Sequence, residues 1–211
     1  MITPDATPER VLEIATGAVR GGADVVQLRH KSLPRGELLT LARRIRESSP
    51  FMGRWPEGPE LLERTRKPLL IINDHVDIAL LSGADGVHLG PDDLSIEAAR
   101  QIAGDRLLIG ASASTVERAL QAVEEGADYL GSGPAFATPI KAQKQVIGPR
   151  GVAAIAQAVD VPVFAIGGIE ESNVGQLALA GVRRAAVIRA VSDSPDPEQA
   201  ARRLRAMLTV R

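Results

Sequence analysis

The chain has 211 residues, which is enough for one sizeable hydrophobic core or at most two small ones. Its net charge of −1 argues against a non-specific nucleic-acid or anionic-membrane binder, and an aromatic content of 2% argues against stacking surfaces for bases. The sequence contains no cysteine, no apolar run long enough to span a membrane and no secretory signal pattern, so we expect a cytoplasmic protein without disulfides or cysteine-bound metals.

Short apolar runs and helical patterns alternate along the chain about eight times. A stub of a first strand at 1–3 precedes seven further predicted strands at 25–28, 69–72, 87–89, 107–109, 127–130, 163–166 and 185–188. Helical patterns are predicted at about 8–21, 34–47, 76–80, 95–103, 114–125, 149–159, 170–180 and 197–208. The stretch at 48–67 is rich in proline and glycine and is predicted to be an irregular loop. These units predict a single compact TIM (β/α)8 barrel over residues 1–211, with a doubly wound open sheet as the alternative.

Three helix starts carry signals for an N-cap. Thr7 precedes Pro8, and Ser95 precedes an acidic first turn, so each of the two is predicted to cap its helix. Ser114 is followed three residues later by Glu117, a spacing that predicts a capping box.

Three helix-to-strand turns share the sequence Gly-Ala-Asp, which ends in Asp24, Asp85 and Asp128. The glycine suits a helix C-cap, and the acid opens the following strand. Acids at this position lie at the amino ends of strands, which is the face of a barrel that serves stability. We therefore interpret these three acids as structural.

Polar side chains collect just past the carboxyl ends of the predicted strands, where α/β folds carry their chemistry. Gln27, Arg29 and Lys31 continue one apolar strand. Side chains alternate along extended backbone, so these three are predicted to point the same way. The pattern places one amide and two cations on a single face at a strand end.

Two acids follow neighbouring strands. Asn73 and Asp74 close one strand, and Asp93 lies just past the next. Such a pair suits Mg²⁺, which usually takes one or two carboxylates and completes its shell with phosphate oxygens and water. With Arg29, Lys31 and Lys141 as cations, the set suits a diphosphate leaving group.

A second anion site is predicted at Gly167 and Gly168, which follow the seventh strand. Barrels commonly bind phosphate there through backbone N–H groups, and a neutral site of this kind suits a monophosphate. The sequence shows no convincing Ser-His-Asp spacing and no cysteine nucleophile. His88 lies within a strand and is interpreted as a packing residue.

Four segments together resemble the thiamine phosphate synthase family. They are VQLRHK at 26–31; IND at 72–74 with ADGVHLGPDD at 84–93; GSGP at 131–134 with Thr138 and Lys141; and AIGGI at 165–169. The resemblance implies a TIM barrel that joins 4-amino-5-hydroxymethyl-2-methylpyrimidine diphosphate to 4-methyl-5-(2-phosphoethyl)thiazole and releases diphosphate. It also implies a dissociative mechanism, in which a pyrimidine methyl cation is captured by the thiazole nitrogen.

The resemblance also implies roles for individual residues. The pyrimidine diphosphate would be held by Gln27, Leu28, Arg29, His30, Lys31, Asn73, Ser112 and Lys141. Four of these would be catalytic: Arg29, Lys31, Ser112 and Lys141. The thiazole phosphate would contact Thr138, Pro139, Ile140, Gly168, Ile188 and Arg189, and Mg²⁺ would be bound by Asp74 and Asp93.

The chain departs from the family pattern at three positions. Ile140 stands where the family usually has Thr, Arg189 where it has Ser, and Pro91 where it has Gln. One alternative is the related thiazole tautomerase family, which typically has a catalytic His where Pro134 stands and lacks the Asn-Asp pair. A non-catalytic ligand-binding barrel is a second alternative. The expected partners are small molecules rather than nucleic acid or membrane, and assembly into homo-oligomers is left open.

Overall fold

The computed structural model describes residues 1–48, 68–138 and 145–209. Within these ranges, seven parallel strands form one sheet whose spatial order equals their order along the chain. They are β1 (Val25–Leu28), β2 (Leu69–Asn73), β3 (Gly86–Leu89), β4 (Leu108–Ser112), β5 (Tyr129–Ser132), β6 (Val163–Ile166) and β7 (Ala185–Ala186). A doubly wound sheet would reverse its strand order at a switch point, so the sequential order excludes that alternative.

Helices precede, connect and follow the strands of the sheet. They are α1 (Pro8–Arg20), α2 (Arg35–Ser48), α3 (Val76–Ser82), α4 (Ile96–Ala103), α5 (Val116–Glu124), α6 (Gly148–Ala158), α7 (Val174–Leu179), α8 (Arg189–Ser192) and α9 (Pro197–Thr209). The predicted strands and main helices are confirmed with shifts of a few residues. Two differences are larger: α7 is shorter than predicted, and the single-turn helix α8 was not predicted. None of the helices in the described ranges is long and apolar enough to cross a membrane.

The segment at 1–3 forms backbone hydrogen bonds at both edges of the sheet, next to β1 and next to β7. Gln27 of β1 donates its N–H to the carbonyl of Met1 at 2.8 Å, and Thr3 donates to the Gln27 carbonyl at 2.9 Å. On the other side, Ile2 donates to the carbonyl of Val187, just past β7, at 2.8 Å. The architecture is therefore a curled, TIM-like parallel sheet with one segment bonded at both edges.

Two of the three predicted helix caps are confirmed. The Thr7 hydroxyl accepts from the N–H of Arg10, the third residue of α1, and the Ser95 hydroxyl accepts from the N–H of Ala98, the third residue of α4. The capping box at Ser114 is wrong, because the hydroxyl that accepts from the N–H of Arg118, at 3.2 Å, belongs to Thr115. Thr115 has extended backbone and α5 begins at the next residue, so Glu117 is one position too early for the box.

Asp85 shows what the repeated Gly-Ala-Asp turn does. Its carboxylate accepts from the N–H of Leu70, the second residue of β2, and from the guanidinium of Arg46, each at 2.8 Å. Burial raises the pKa of Asp85, and these two donors work against that rise. The acid ties the start of one strand to a helix end.

Of the other two Gly-Ala-Asp acids, Asp128 makes the same two kinds of contact and Asp24 pairs with an arginine. Asp128 accepts from the N–H of Ile109 at 2.7 Å and from the guanidinium of Arg100 at 2.6 Å. Asp24 accepts from Arg205 of α9 at 2.8 Å. These contacts lie at the amino ends of the strands, so the structural interpretation is confirmed for Asp85 and Asp128, whereas the Asp24 side chain is 71% exposed and makes a surface ion pair.

Side chains alternate along the strands between two apolar layers. The larger layer lies between the sheet and its helices, and its fully buried strand residues include Val26, Leu28, Leu70, Ile72, Val87, Ile109 and Leu130. A smaller cluster on the opposite, inner face contains Leu69, Ile71 and Leu108, with Val25 and Tyr129 packed against it. Polar residues of the inner face lie beyond this cluster, toward the carboxyl ends of the strands.

Candidate active site

A cavity of about 1250 Å³ runs along the inner face of the sheet. Gln27, Arg29 and Lys31 all line it, whereas Leu28 and His30 do not. The predicted alternation of side chains after β1 is therefore confirmed. It brings the amide and both cations to one cavity.

Leu28 and His30 direct their side chains elsewhere. Leu28 is fully buried in the layer between sheet and helices. The His30 ring accepts the N–H of Leu33 on Nδ1 at 3.1 Å, and its Nε2 lies 2.7 Å from the carbonyl oxygen of Ala6. A proton on Nε2 satisfies both contacts, so this ring braces the loop after β1. Substrate contact by these two residues stays a prediction.

Asp74 lies directly after β2 and lines the same cavity. Its backbone has φ of 65°, a left-handed conformation that is uncommon outside glycine and is often found at functional sites. Its N–H donates to the carbonyl of His88 on β3 at 2.8 Å. That bond holds the residue at the junction of two neighbouring strands.

The Asp74 carboxyl group is paired with that of Asp93. Burial raises the pKa of Asp74 to about 6, and the hydrogen bond to Asp93 and the charge of Asp93 act in the same direction. The positive charge of Lys31 and a hydrogen bond from Asn73 oppose the rise. Asp93 is itself held by the N–H of Gly90, which donates to its Oδ2 at 2.7 Å.

This acid pair fits a divalent cation. Among residues 1–48, 68–138 and 145–209, no three His, Cys, Asp or Glu side chains group closely enough to hold a metal by themselves. Mg²⁺ needs only one or two protein carboxylates, because water and phosphate oxygens complete its shell. Burial is the largest cause of the raised pKa of Asp74, and the neighbouring Asp93 adds to it; a bound cation would offset both effects.

A chain of hydrogen bonds lies beneath the acids on the inner face. His88 contacts the Ser112 hydroxyl through Nε2 at 3.1 Å and the Tyr129 hydroxyl through Nδ1 at 3.3 Å. Gln27 in turn hydrogen-bonds to Tyr129, whose pKa is raised well above its ordinary value by burial and by the charge of Asp128. The network thus joins Gln27 and Ser112, two predicted substrate-binding residues.

His88 and Tyr129 are the site residues that sequence reasoning missed. The pairing of neighbouring strands would have revealed them, because residues paired across a sheet point to the same face. The successive partners across β2 to β5 are Asn73, His88, Gly110 and Tyr129. Gly110 makes room in this row, because a Cβ atom there would overlap the Tyr129 ring. His88 does pack as predicted, but against the hydroxyl of a candidate catalytic serine.

A smaller pocket of about 210 Å³ adjoins the cavity. It is lined by Thr138, Gly168, Ile188 and Arg189, four of the six residues predicted for the thiazole phosphate. Ser112 lines both spaces and therefore lies at their junction. The two predicted anion sites are thus neighbouring compartments.

Glycine is required in the loop after β6. Gly167 and Gly168 have φ of 96° and 63°, and a Cβ atom on Gly168 would overlap the carbonyl oxygen of Ala137. Asn173 fixes the loop by donating its side-chain N–H to the Gly168 carbonyl at 2.8 Å. The loop therefore brings backbone without side chains close to the pocket, which is what phosphate binding by backbone N–H groups requires.

Arg189 opens α8 at the edge of the smaller pocket. Its guanidinium lies 3.9 Å from a carboxylate oxygen of Glu170, which lines the same pocket, and both side chains are largely exposed. The remaining predicted residues, Pro139, Ile140 and Lys141, lie outside the described residues. The irregular loop predicted at 48–67 also lies outside them, except for its first residue.

A family model described as thiamine monophosphate synthase matches residues 57–191. The chain belongs to this family. It is 44% identical over 195 residues to a thiamine-phosphate synthase of Anaeromyxobacter dehalogenans, covering 91% of this chain and 80% of that protein. It is 43% identical over 198 residues to a thiamine-phosphate synthase of Chlorobium luteolum, covering 93% of this chain and 87% of that protein.

Solved structures agree with this membership. Thiamine phosphate pyrophosphorylase from Pyrococcus furiosus superimposes with a TM-score of 0.81 at 38% identity, covering 98% of this chain and 93% of that chain. A 3-hexulose-6-phosphate synthase superimposes with a TM-score of 0.73 at 20% identity, covering 98% and 97%. At that identity the second match describes the fold alone.

Proposed function

We propose that the enzyme joins 4-amino-5-hydroxymethyl-2-methylpyrimidine diphosphate to 4-methyl-5-(2-phosphoethyl)thiazole, giving thiamine phosphate and diphosphate. One observation carries this assignment: two adjoining compartments, one with cations and a carboxylate pair and the other with a glycine loop, share Ser112. Two phosphorylated substrates need two such compartments with their reacting atoms at the junction.

The larger compartment would take the pyrimidine diphosphate. Arg29 and Lys31 line it from the loop after β1, and Lys141 is assigned to the same role by the family resemblance. Cations placed at the diphosphate stabilise the negative charge that grows there as the leaving group departs. Gln27 and Asn73 line the same wall and offer amide hydrogen bonds to the substrate.

Asp74 and Asp93 would hold Mg²⁺ at the diphosphate. Their carboxyl groups already lie within hydrogen-bonding contact, and oxygen ligands are what this hard cation prefers. When bound, the ion supplies positive charge that stabilises the departing diphosphate.

The bond changes of the proposed reaction need no protein base. The carbon–oxygen bond to the diphosphate breaks, and its electron pair leaves with the diphosphate. The lone pair of the thiazole nitrogen then forms the new carbon–nitrogen bond, and the product carries the positive charge on that nitrogen. No proton is transferred, so positioning and charge stabilisation are the tasks left to the protein. Ser112 would orient the pyrimidine, held from behind by His88.

The smaller compartment would take the thiazole phosphate. Thr138 and the backbone of Gly168 line it, and Ile188 gives it an apolar wall. Arg189 would add a positive charge at its rim.

Three broader expectations belong to the same proposal. The segment at 1–3, bonded to Gln27 on one side and Val187 on the other, would serve as the eighth strand that closes a (β/α)8 barrel. The enzyme would work in the cytoplasm on small-molecule substrates. Self-association is compatible with the proposal.

The test is direct turnover. The purified chain is incubated with both substrates and Mg²⁺, and thiamine phosphate is measured by chromatography, with each substrate omitted in turn as a control. Product that depends on both substrates supports the proposal. Binding of either substrate without any product would favour the non-catalytic alternative and overturn it.

A further inference from the structure

The loop that carries Arg29 and Lys31 is held from outside the cavity. Thr3 and Arg29 exchange two hydrogen bonds: the Thr3 hydroxyl donates to the Arg29 carbonyl, and the Arg29 N–H donates back to that hydroxyl, each at 2.9 Å. His30 contacts the carbonyl of Ala6 at 2.7 Å. Residues 3–6 thus contact each of the first two residues of the loop.

Asp5 makes the most direct of these contacts. Its Oδ1 accepts the backbone N–H of Lys31 at 2.6 Å, and its Oδ2 lies 3.2 Å from Nη1 of Arg29. Burial of Asp5 raises its pKa, but the Lys31 N–H and the Arg29 guanidinium outweigh that effect and leave the pKa below its ordinary value. Asp5 is therefore ionised at neutral pH and holds both cationic residues at once.

The position of Asp5 separates it from the substrate. Arg29 and Lys31 line the larger cavity, whereas Asp5 does not. The Arg29 side chain is 22% exposed and that of Asp5 is 42% exposed, so the carboxylate is the more solvent-exposed partner of the pair. A residue placed this way can orient the cations without contacting the ligand.

We propose that Asp5 is a positioning residue, which fixes the Arg29 guanidinium and the Lys31 backbone so that both cations face the diphosphate. This inference rests on the proposed function of the larger compartment. Arginine and lysine side chains have many rotamers, and a free side chain must be ordered when the ligand binds. A carboxylate that orders the Arg29 side chain and the Lys31 backbone beforehand removes part of that cost and places the charges where the leaving group develops its own.

The negative charge of Asp5 and its positioning role have opposite effects on diphosphate binding, so an experiment can tell which of the two dominates. Asp5 also places a negative charge near the site, so its removal raises the local positive potential, which attracts diphosphate. If charge were the main effect of Asp5, its loss would tighten diphosphate binding, and added salt would screen the gain. If positioning dominates, its loss weakens binding at low and high salt alike.

Two variants separate the two contacts of Asp5. Asp5→Asn keeps an oxygen that can accept the Lys31 N–H but removes the charge that holds Arg29. Asp5→Ala removes both contacts. Glu9→Gln is the matched control, because Glu9 pairs with Arg44 at 3.2 Å between two exposed side chains that do not line the cavity.

Three measurements are made on each full-length variant. Steady-state kinetics give kcat and KM for each substrate, calorimetry at low and at high salt gives the Kd of inorganic pyrophosphate with Mg²⁺, and thermal unfolding monitors the fold. For Asp5→Ala we expect kcat/KM for the pyrimidine diphosphate to fall about tenfold, and pyrophosphate to bind about tenfold more weakly, because both contacts that order the cations are lost. For Asp5→Asn we expect kcat/KM for the pyrimidine diphosphate to fall about threefold and pyrophosphate to bind about threefold more weakly, because the contact with the Lys31 N–H survives. KM for the thiazole phosphate and all values for Glu9→Gln should stay unchanged.

The inference is overturned if the Asp5 variants lose kcat/KM equally for both substrates and have a lower Tm. It is also overturned if they bind pyrophosphate as tightly as the unmutated chain, or more tightly. Asp5→Asn carries the test if Asp5→Ala does not fold. Failure of the proposed function looks different. In that case the unmutated chain makes no thiamine phosphate, and an Asp5-dependent Kd for pyrophosphate would still support a positioned anion loop. If the unmutated chain does not bind pyrophosphate at all, the diphosphate compartment and the inference fall together.

Discussion

The carboxyl groups of Asp74 and Asp93 are paired by a hydrogen bond, although Asp74 follows β2 and Asp93 lies in the loop after β3. Burial and this pairing raise the pKa of Asp74 to about 6. Two carboxylates in contact cannot both ionise without cost, unless a cation lies between them. If the pair binds the proposed Mg²⁺, proton binding and cation binding compete at this point of the site.

We predict that Mg²⁺ binds more tightly as the pH rises through about 6. Below that pH Asp74 holds a proton, which Mg²⁺ must displace, so binding should release protons. Calorimetry in two buffers of different ionisation enthalpy, at several pH values, measures the affinity and the released protons together. Asp77→Asn serves as the control, because Asp77 pairs with Arg35 on exposed surface. An affinity that does not change with pH would contradict the assignment.

The same shift predicts how metal-free stability depends on pH. The folded-state pKa of Asp74 is raised, so between about pH 4 and about 6 the folded state binds more protons than the unfolded chain. The contribution of Asp74 to stability is therefore fully present below about pH 4 and is lost as the pH rises through 6. Asp74→Asn should remove this dependence and leave Tm at neutral pH unchanged or higher, while kcat falls by about a hundredfold or more. Full activity of Asp74→Asn without added metal would contradict the metal assignment.

Local rules accounted for much of the site. Gln27, Arg29 and Lys31 share a cavity because side chains alternate along extended backbone, which requires knowledge of only five consecutive residues. The structural role of Asp85 followed from its turn, because a Gly-Ala-Asp sequence places the acid at the start of a strand in each copy. Features of this kind are encoded over a few residues.

Long-range features were beyond such rules. His88 meets Ser112 and Tyr129 across separations of 24 and 41 residues, and only the register of the sheet reveals those contacts. The cap of α5 was misplaced because Ser114 and Thr115 both carry a hydroxyl, and backbone geometry decides which one meets the helix. Helix α8 has a single turn, too short to show helical periodicity.

Tyr129 gives a spectroscopic test of the inner-face network. It is the only tyrosine of the chain, and its pKa is raised well above the ordinary value, first by burial and second by the charge of Asp128. The folded state thus favours the neutral phenol, and its contribution to stability is present below about pH 10 and lost at higher pH. We predict that tyrosinate absorbance appears only together with loss of the circular dichroism of the fold. The urea-unfolded chain, titrating near pH 10, is the reference. A smooth titration of folded protein at that pH would exclude a buried, hydrogen-bonded Tyr129.

The dissociative mechanism predicts a steep electronic effect on the pyrimidine. A 2-trifluoromethyl group in place of the methyl withdraws electrons and destabilises a pyrimidine methyl cation. We expect kcat to fall by about a hundredfold or more, which corresponds to a barrier raised by about 2.7 kcal/mol or more. Single-turnover kinetics with both substrates saturating measure the chemical step, and the Kd of the analogue checks that binding is intact. An analogue that reacts as fast as the natural substrate would rule out the cation.

Arg189 and Glu170 lead to the last prediction, about the thiazole phosphate. Their guanidinium and carboxylate lie 3.9 Å apart on side chains that are 41% and 55% exposed, and such an ion pair is worth about 0–1 kcal/mol. A phosphate in the adjoining pocket can therefore take Arg189 from Glu170 at little cost. In the family a threonine usually stands where this chain has Ile140, and a hydrogen bond to a charged group contributes about 1.5–3 kcal/mol. We predict that Arg189 compensates for that missing hydroxyl, so Arg189→Ser should raise KM for the thiazole phosphate by roughly one to two powers of ten.

Two further variants make this prediction specific. Glu170→Gln releases Arg189 and should lower the same KM by a few-fold, because the phosphate no longer competes with a carboxylate. Ile140→Thr added to Arg189→Ser should recover part of the loss, and the double-mutant cycle measures the coupling between the two positions. The KM for the pyrimidine diphosphate should not change in any of these variants, which separates a local effect from a general loss of fold. If Arg189→Ser leaves the KM for the thiazole phosphate unchanged, the arginine serves only its ion pair with Glu170, and the compensation does not exist.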